Sequence, residues 1–60
     1  MVRKIRELCS ANNISIMALE KACGLGNGTI ARWDNMRPSV DKIAAVARYF
    51  HKPIEYFIED

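Results

Sequence analysis

At 60 residues the chain is long enough for one domain with a single small core, because a domain of this size buries only about 60% of the surface that its unfolded chain exposes. The sequence has no apolar run near the roughly 20 residues of a transmembrane helix and no signal-peptide segment, so we expect a cytoplasmic protein without a membrane partner. All nine Lys and Arg residues lie within residues 1–52, while three of the seven acidic residues lie within 53–60, a distribution that suits a polyanionic partner.

The first two helices are predicted from apolar spacing and from polar residues at their ends. Helix 1 is expected over residues 2–12, where Asn12 and Asn13 end it because asparagine tolerates the left-handed conformation. Its buried stripe comprises Ile5, Leu8 and Cys9. Ser15 is a suitable N-cap for helix 2, which is expected over residues 16–23.

A glycine-rich turn follows helix 2. Three glycines in close succession make a continuous helix costly, and Gly24 can adopt the left-handed conformation that closes helix 2. Leu25 is expected to fill the corner before a third helix begins at Gly26 or Asn27. Two helices joined by a short turn that contains glycine form a helix-turn-helix, here at about residues 16–35.

Helix 3 is expected over residues 27–35, buried on one side only. Ile30 and Trp33 are three residues apart and share one helix face, which we expect to pack in the core. Trp33 is therefore interpreted as a core residue rather than as a platform for base stacking. The other side of helix 3 is expected to face outward and carries Asn27, Gly28, Ala31, Arg32 and Asn35.

Two further helices complete an all-α fold. Pro38 disfavours helix immediately before it, and Ser39 is the predicted N-cap of helix 4. The apolar residues of helix 4 at helical spacing are Val40, Ile43, Val46, Ala47 and Phe50. Residues 51–53 break helix 4, and helix 5 is expected over residues 54–58. Ile54 and Phe57 of helix 5 are predicted to face the core, and Ile58 either joins them or stays exposed. No segment alternates in polarity as a half-buried strand does, so we predict one five-helix domain over residues 1–60.

The glycine-rich turn and its flanking helices resemble the helix-turn-helix of the phage repressor and Cro family of DNA-binding domains. The string LEK…GLGNGTI..WD within residues 19–34 carries the resemblance, and a subgroup common among phage-like and mobile-element regulators has a very similar string. The resemblance covers nearly the whole chain, because residues 5–8, 38–43 and 54–57 are similar to parts of the family's first, fourth and fifth helices. It implies a compact, lambda-repressor-like domain of five helices that binds double-stranded DNA.

Five residues at and after the turn are predicted to read DNA bases. The resemblance implies base contacts at Gly26, Asn27, Gly28 and Arg32. Arginine can bond bidentately to guanine and asparagine to adenine, and the methyl group of Ala31 can touch a thymine methyl. Two alternatives remain open: Arg32 can be merely solvated, and Asn27 can cap helix 3 with or without contacting a base.

Phosphate contacts are predicted at helix N-termini and in the loop after helix 3. The candidates are Ser15, Thr29, Asn35 and Arg37. The resemblance implies that the loop with Arg37 runs along the DNA backbone. Four other basic residues are interpreted as a solvated surface, namely Arg3, Lys4, Arg6 and Lys42.

Several residues depart from the family pattern. Ile16 stands where the family usually has a Gln that binds a phosphate, so that contact is missing or replaced by a backbone N–H. Glu20 stands where most members have Ala, and we expect its stem to lie in the groove between helices 2 and 3. Cys9 stands where many members have an Arg that pairs with the acid at Asp34. His51 replaces a helix-ending Gly at a small cost in strain.

Nothing in the sequence predicts catalysis, a cofactor or a metal site. The G-x-G spacing that starts at Gly24 lacks the third glycine, the preceding strand and the G-K-[ST] of nucleotide-binding loops. Cys9 and Cys23 lack C-x-x-C spacing, and His51 is distant from both. We therefore expect two free thiols that pack as small apolar groups, and no small-molecule substrate.

We predict a sequence-specific regulator of transcription that binds double-stranded DNA, by resemblance a phage- or mobile-element-type repressor in a bacterium. One such domain covers one half-site, so tight binding is expected to need a homodimer on two half-sites. The apolar part of helix 5 around Tyr56 and Ile58 is the candidate dimer contact. The alternative is a helix-turn-helix module that docks a partner protein without binding DNA, which Ile16 and the two glycines among the base-reading positions favour.

Overall fold

The chain forms α-helices joined by short turns, as seen in a computed structural model that describes residues 1–58. The helices are α1 (Val2–Ala11), α2 (Ile16–Ala22), α3 (Thr29–Arg32), α4 (Val40–Tyr49) and α5 (Glu55–Ile58). Residues 1–58 contain no strand, so the prediction of an all-α fold is confirmed. Two residues of the acidic C-terminal segment, Glu59 and Asp60, lie outside the described residues.

All five helices contribute to one apolar core. Its buried members are Val2, Ile5, Cys9, Leu19, Ile30, Trp33, Ile43, Val46, Ala47 and Phe57. The radius of gyration of the Cα atoms is 10.2 Å, which matches the value of about 10 Å expected for a compact chain of this length. None of the helices within residues 1–58 is long and apolar enough to cross a bilayer.

Val40, which was predicted to face the core, and Ile58, whose placement was left open, are both exposed. Val40 is 69% exposed because it begins α4 at the surface, and the buried side of that helix starts one turn later at Ile43. Ile58 is 50% exposed. Successive residues of a helix point about 100° apart, so the burial of Phe57 turns its neighbour Ile58 away from the core.

Local capping fixes several of the helix ends. The Ser15 hydroxyl accepts a hydrogen bond from the Ala18 N–H at 3.0 Å, which confirms Ser15 as the N-cap of α2. Ser39 occupies the N-cap position of α4, but its side chain makes no capping bond. Three helices are followed by a residue with positive φ, namely Asn13 (φ 58°), Gly24 (φ 73°) and His51 (φ 57°), at the positions where the sequence predicts helix ends.

The prediction that helix 3 covers residues 27–35 is wrong at both ends. Gly28 has φ 77° and lies outside the helical region, so α3 begins only at Thr29. After Arg32 the hydrogen-bond pattern changes to a tighter one, in which the Trp33 N–H donates to the Ile30 carbonyl at 3.0 Å and the Asn35 N–H to the Arg32 carbonyl at 3.0 Å. Residues 33–35 are therefore a turn that extends a single turn of α-helix.

Candidate nucleic-acid interface

The residues predicted to read bases lie in the turn before α3 and on the side of α3 that faces away from the core. Gly26, Asn27, Gly28, Ala31 and Arg32 are all exposed, and together they are called the α3 outer face. On the opposite side, Ile30 is 1% and Trp33 7% exposed. The predicted division of this segment into a buried apolar side and an exposed small or polar side is confirmed.

The turn before α3 has a conformation that requires glycine at two positions. Gly24 has φ 73° and Gly28 has φ 77°, values at which a residue with a Cβ is strained. Gly28, and not Asn27, occupies the N-cap position of α3. The interpretation of Asn27 as the N-cap is therefore wrong, and Asn27 lies exposed on the outside of the turn.

Glu20 on α2 accepts the hydrogen bonds that an N-cap side chain of α3 would otherwise accept. Glu20 is 3% exposed. Its carboxylate accepts hydrogen bonds from the Gly28 N–H at 3.2 Å and from the Ile30 N–H at 3.0 Å. The sequence predicts the position of the Glu20 stem between the helices, but it does not predict this role. The available signal is that Gly28 has no side chain with which to cap α3, so another element must supply an acceptor.

Arg32 is exposed and is steered by a neighbour one turn earlier on α3. Its Nη2 donates to the Thr29 hydroxyl over a long distance of 3.5 Å. Thr29, a predicted phosphate contact, is buried, with only 9% of its surface exposed. Because the Thr29 hydroxyl faces Arg32, it is better placed to orient that side chain than to reach a ligand on the open surface.

A cleft next to the α3 outer face gathers basic side chains. It has a volume of about 370 Å³, and its polar lining comprises Thr29, Arg32, Arg37, Ser39 and Lys42. Three of these residues are cations that come from α3, the following loop and α4. The cleft is called the basic cleft after these three residues, Arg32, Arg37 and Lys42. A cleft lined by charges of one sign concentrates the field that attracts an anion.

The structure brings one further basic residue, Lys42, next to predicted site residues and places another predicted site residue, Ser15, apart from them. Lys42 lines the basic cleft with Arg32 and Arg37, although the sequence assigns it to a solvated surface. Arg37 is exposed in the lining, and Asn35 is exposed two residues before it in the chain. Ser15 is exposed at the N-terminus of α2 and is not part of the cleft lining.

No family model, curated protein or solved structure matches this chain. The resemblance to the phage repressor and Cro family therefore stays a prediction that depends on residues 19–34. The arrangement of the α3 outer face next to the basic cleft is observed in the structure and does not depend on that resemblance.

The thiols lie outside the basic cleft and are held in the protonated form. Burial raises the pKa of Cys9 and of Cys23, and the charge of Cys23 adds a smaller contribution at Cys9. Both cysteines are free. A thiol with a raised pKa is a poor nucleophile at neutral pH. Within residues 1–58 no group of three or more His, Cys, Asp or Glu residues is arranged to hold a metal ion.

Proposed function

We propose that this chain is a lambda-repressor-like helix-turn-helix domain that binds double-stranded DNA in a sequence-specific manner and regulates transcription as a phage- or mobile-element-type repressor. One observation carries the proposal: the exposed α3 outer face, with Arg32 on it, adjoins the basic cleft. DNA offers base edges in a groove that is bordered by phosphates, so a reading surface must adjoin a cationic one. The resemblance of residues 19–34 to the phage repressor and Cro family supports the same interpretation.

In this proposal, α3 and the turn before it lie in the major groove, where their small residues allow the backbone to approach the bases. Gly26, Gly28 and Ala31 project little or nothing beyond the backbone, and they are exposed. Arg32 has the fork of donors that matches guanine, and Asn27 has the amide that matches adenine. Few side chains on this surface can read bases, so DNA shape contributes to the choice of operator.

The basic cleft supplies the phosphate contacts of the proposed complex. Arg37, Lys42 and Ser39 line the cleft together with Arg32. Guanidinium and ammonium groups are the usual partners of DNA phosphates. Ser15 and Asn35 are exposed and can add contacts to the backbone on either side of the groove.

A second copy of the chain completes the proposed repressor, because one domain covers only one half-site. Ile58 is half exposed at the end of α5. Tyr56 is half buried, and the ammonium groups of Lys4 and Lys52 lie 5.3 Å and 5.2 Å from the centre of its ring. Ile58 is therefore the more accessible of the two candidate dimer contacts.

Selection of binding sites from random duplex DNA tests this proposal. The chain is incubated with the duplex pool at low salt, and the retained DNA is amplified and sequenced over several rounds. We expect a short motif to be enriched, with a repeated and inverted copy if two chains bind together. The Arg32→Ala variant serves as the control, because it keeps the fold and loses the main base-reading group. Retention of DNA without any enriched motif, or no retention at all, would contradict sequence-specific binding.

A second candidate function is that of a module that docks a partner protein. Met36, which lines the basic cleft, and Val40, which follows the lining residue Ser39 in the chain, have 58% and 69% of their surface accessible. Apolar side chains in such a position can anchor a protein partner. Binding of this kind changes little with salt, whereas DNA binding weakens steeply as the salt concentration rises.

A further inference from the structure

Glu20 is bonded to both ends of the turn that precedes α3. Its carbonyl accepts a hydrogen bond from the Leu25 N–H at 2.7 Å. Its carboxylate accepts from the Gly28 N–H at 3.2 Å and from the Ile30 N–H at 3.0 Å. One residue of α2 thus fixes the start and the end of the exposed stretch that contains Asn27.

Within this stretch the Gly26 carbonyl accepts a hydrogen bond from the Thr29 N–H at 3.2 Å, and Glu20 adds the bonds to the Gly28 and Ile30 N–H groups. Gly26 and Gly28 leave the backbone free to adopt many conformations. α3 is a single turn, and Gly28 at its N-cap position has no side chain to accept from the first N–H groups. The bond to the Ile30 N–H is buried, and a buried donor or carboxylate without a partner is strongly unfavourable. The carboxylate and the two N–H groups therefore satisfy one another.

We propose that Glu20 is a positioning residue for DNA recognition, which holds the turn over residues 26–28 in the conformation that presents Asn27 and Arg32 to the bases. The inference rests on the proposed DNA-binding function. Glu20 is 3% exposed, so its carboxylate is too deeply buried to reach DNA. Without its carboxylate, the glycine-containing turn must be ordered each time DNA binds, and that ordering lowers the affinity. The reading surface is in this way preorganised by a residue outside it.

Glu20→Gln tests the proposal with little change of shape. The amide keeps one accepting oxygen and turns an NH₂ group toward the other backbone N–H, which needs an acceptor. The measurements are the affinity for the selected duplex and the hydrogen exchange of single backbone N–H groups, both made where circular dichroism shows each variant fully folded. We expect exchange at Gly28 and Ile30 to accelerate and the duplex affinity to fall by about tenfold.

Two further variants separate positioning from stability. Ile5→Val removes one methylene from the core on α1 and leaves the turn intact, so it is expected to keep the duplex affinity within about twofold although it destabilises the fold. The Glu20→Asp side chain is one methylene too short to reach both N–H groups in the same way. Its duplex affinity is expected to lie between that of the wild type and that of Glu20→Gln. Glu20→Asp also replaces Glu20→Gln if that variant does not fold.

The outcomes are distinct. If the wild type binds the duplex and folded Glu20→Gln or Glu20→Asp binds with the same affinity, positioning by Glu20 is wrong while the proposed function stands. The same holds if Ile5→Val loses as much affinity as the Glu20 variants at equal stability. If the wild type binds no duplex even at low salt, the proposed function fails, and the recognition role of Glu20 fails with it.

Discussion

At the scale of single residues, Arg32 is the side chain on which the proposed base recognition depends most. It is exposed, and the Thr29 hydroxyl accepts from its guanidinium at 3.5 Å. We expect Arg32→Ala to weaken specific binding by about 1–3 kcal/mol and to relax the base preference at one position. The stability of the fold should change by less than about 0.5 kcal/mol, since the side chain lies on the surface. Fluorescence anisotropy with the selected duplex and with single-base variants of it measures both effects.

Arg6 provides a matched control for Arg32. It is an exposed arginine on α1, outside the α3 outer face and the lining of the basic cleft. Arg6→Ala removes the same charge and is expected to leave the base preference unchanged. Equal losses of specific affinity in Arg6→Ala and Arg32→Ala would show that only net charge matters and that α3 does not read bases.

Ser15 and Glu20 illustrate which features of single residues can be predicted from sequence. The N-cap at Ser15 was predictable because capping acts within three residues, and its bond to the Ala18 N–H is as expected. The role of Glu20 was not, because its carboxylate binds N–H groups eight and ten residues away. That contact depends on the path of the intervening turn, which local propensities do not determine.

At the scale of elements, the turn between α2 and α3 is the part whose backbone matters most. Gly28→Ala is expected to destabilise the fold by about 1–2 kcal/mol, because φ 77° places a Cβ in the left-handed region. An added Cβ would contact no residue beyond the adjacent backbone within 4 Å, so the cost comes from the local backbone conformation and not from packing against other parts of the fold. Urea unfolding followed by circular dichroism gives the free energy of unfolding of each variant.

Gly26→Ala is the matched variant two residues earlier. Gly26 does not adopt a positive φ, and an added Cβ would lie 3.4 Å from the Thr29 hydroxyl oxygen. We expect a change in the free energy of unfolding of less than about 0.5 kcal/mol, because reduced freedom of the unfolded chain offsets the tight contact. A larger loss at Gly26 than at Gly28 would contradict this account of the turn.

The elements also show where prediction from periodicity ends. The apolar spacing of α4 predicted its buried side correctly at Ile43, Val46 and Ala47. It failed at Val40, because spacing alone does not say where the neighbouring helices end. Helix 3 was predicted too long because the positive φ of Gly28, which excludes that residue from the helix, is not visible in a count of helix-forming residues.

At the scale of the whole molecule, an all-α fold with a single core was predictable, whereas the basic cleft was not. Five segments with apolar residues at helical spacing, each bounded by capping or helix-breaking residues, predict five helices that share one core. The cleft brings Arg32, Arg37 and Lys42 together from three consecutive segments. Their convergence depends on how the start of α4 packs next to α3, and no pattern along the sequence gives that arrangement.

The salt dependence of duplex binding tests the central claim most directly, namely that the α3 outer face and the basic cleft together bind double-stranded DNA. If Arg37 and Lys42 each neutralise a phosphate while Arg32 contacts a base, the logarithm of the affinity should fall with the logarithm of the salt concentration with a slope of about −2 per domain. Arg37→Gln should reduce the magnitude of that slope by about 1, and Arg6→Gln should leave it unchanged. An affinity that does not vary with salt, or a slope that Arg37→Gln does not alter, would contradict the claim.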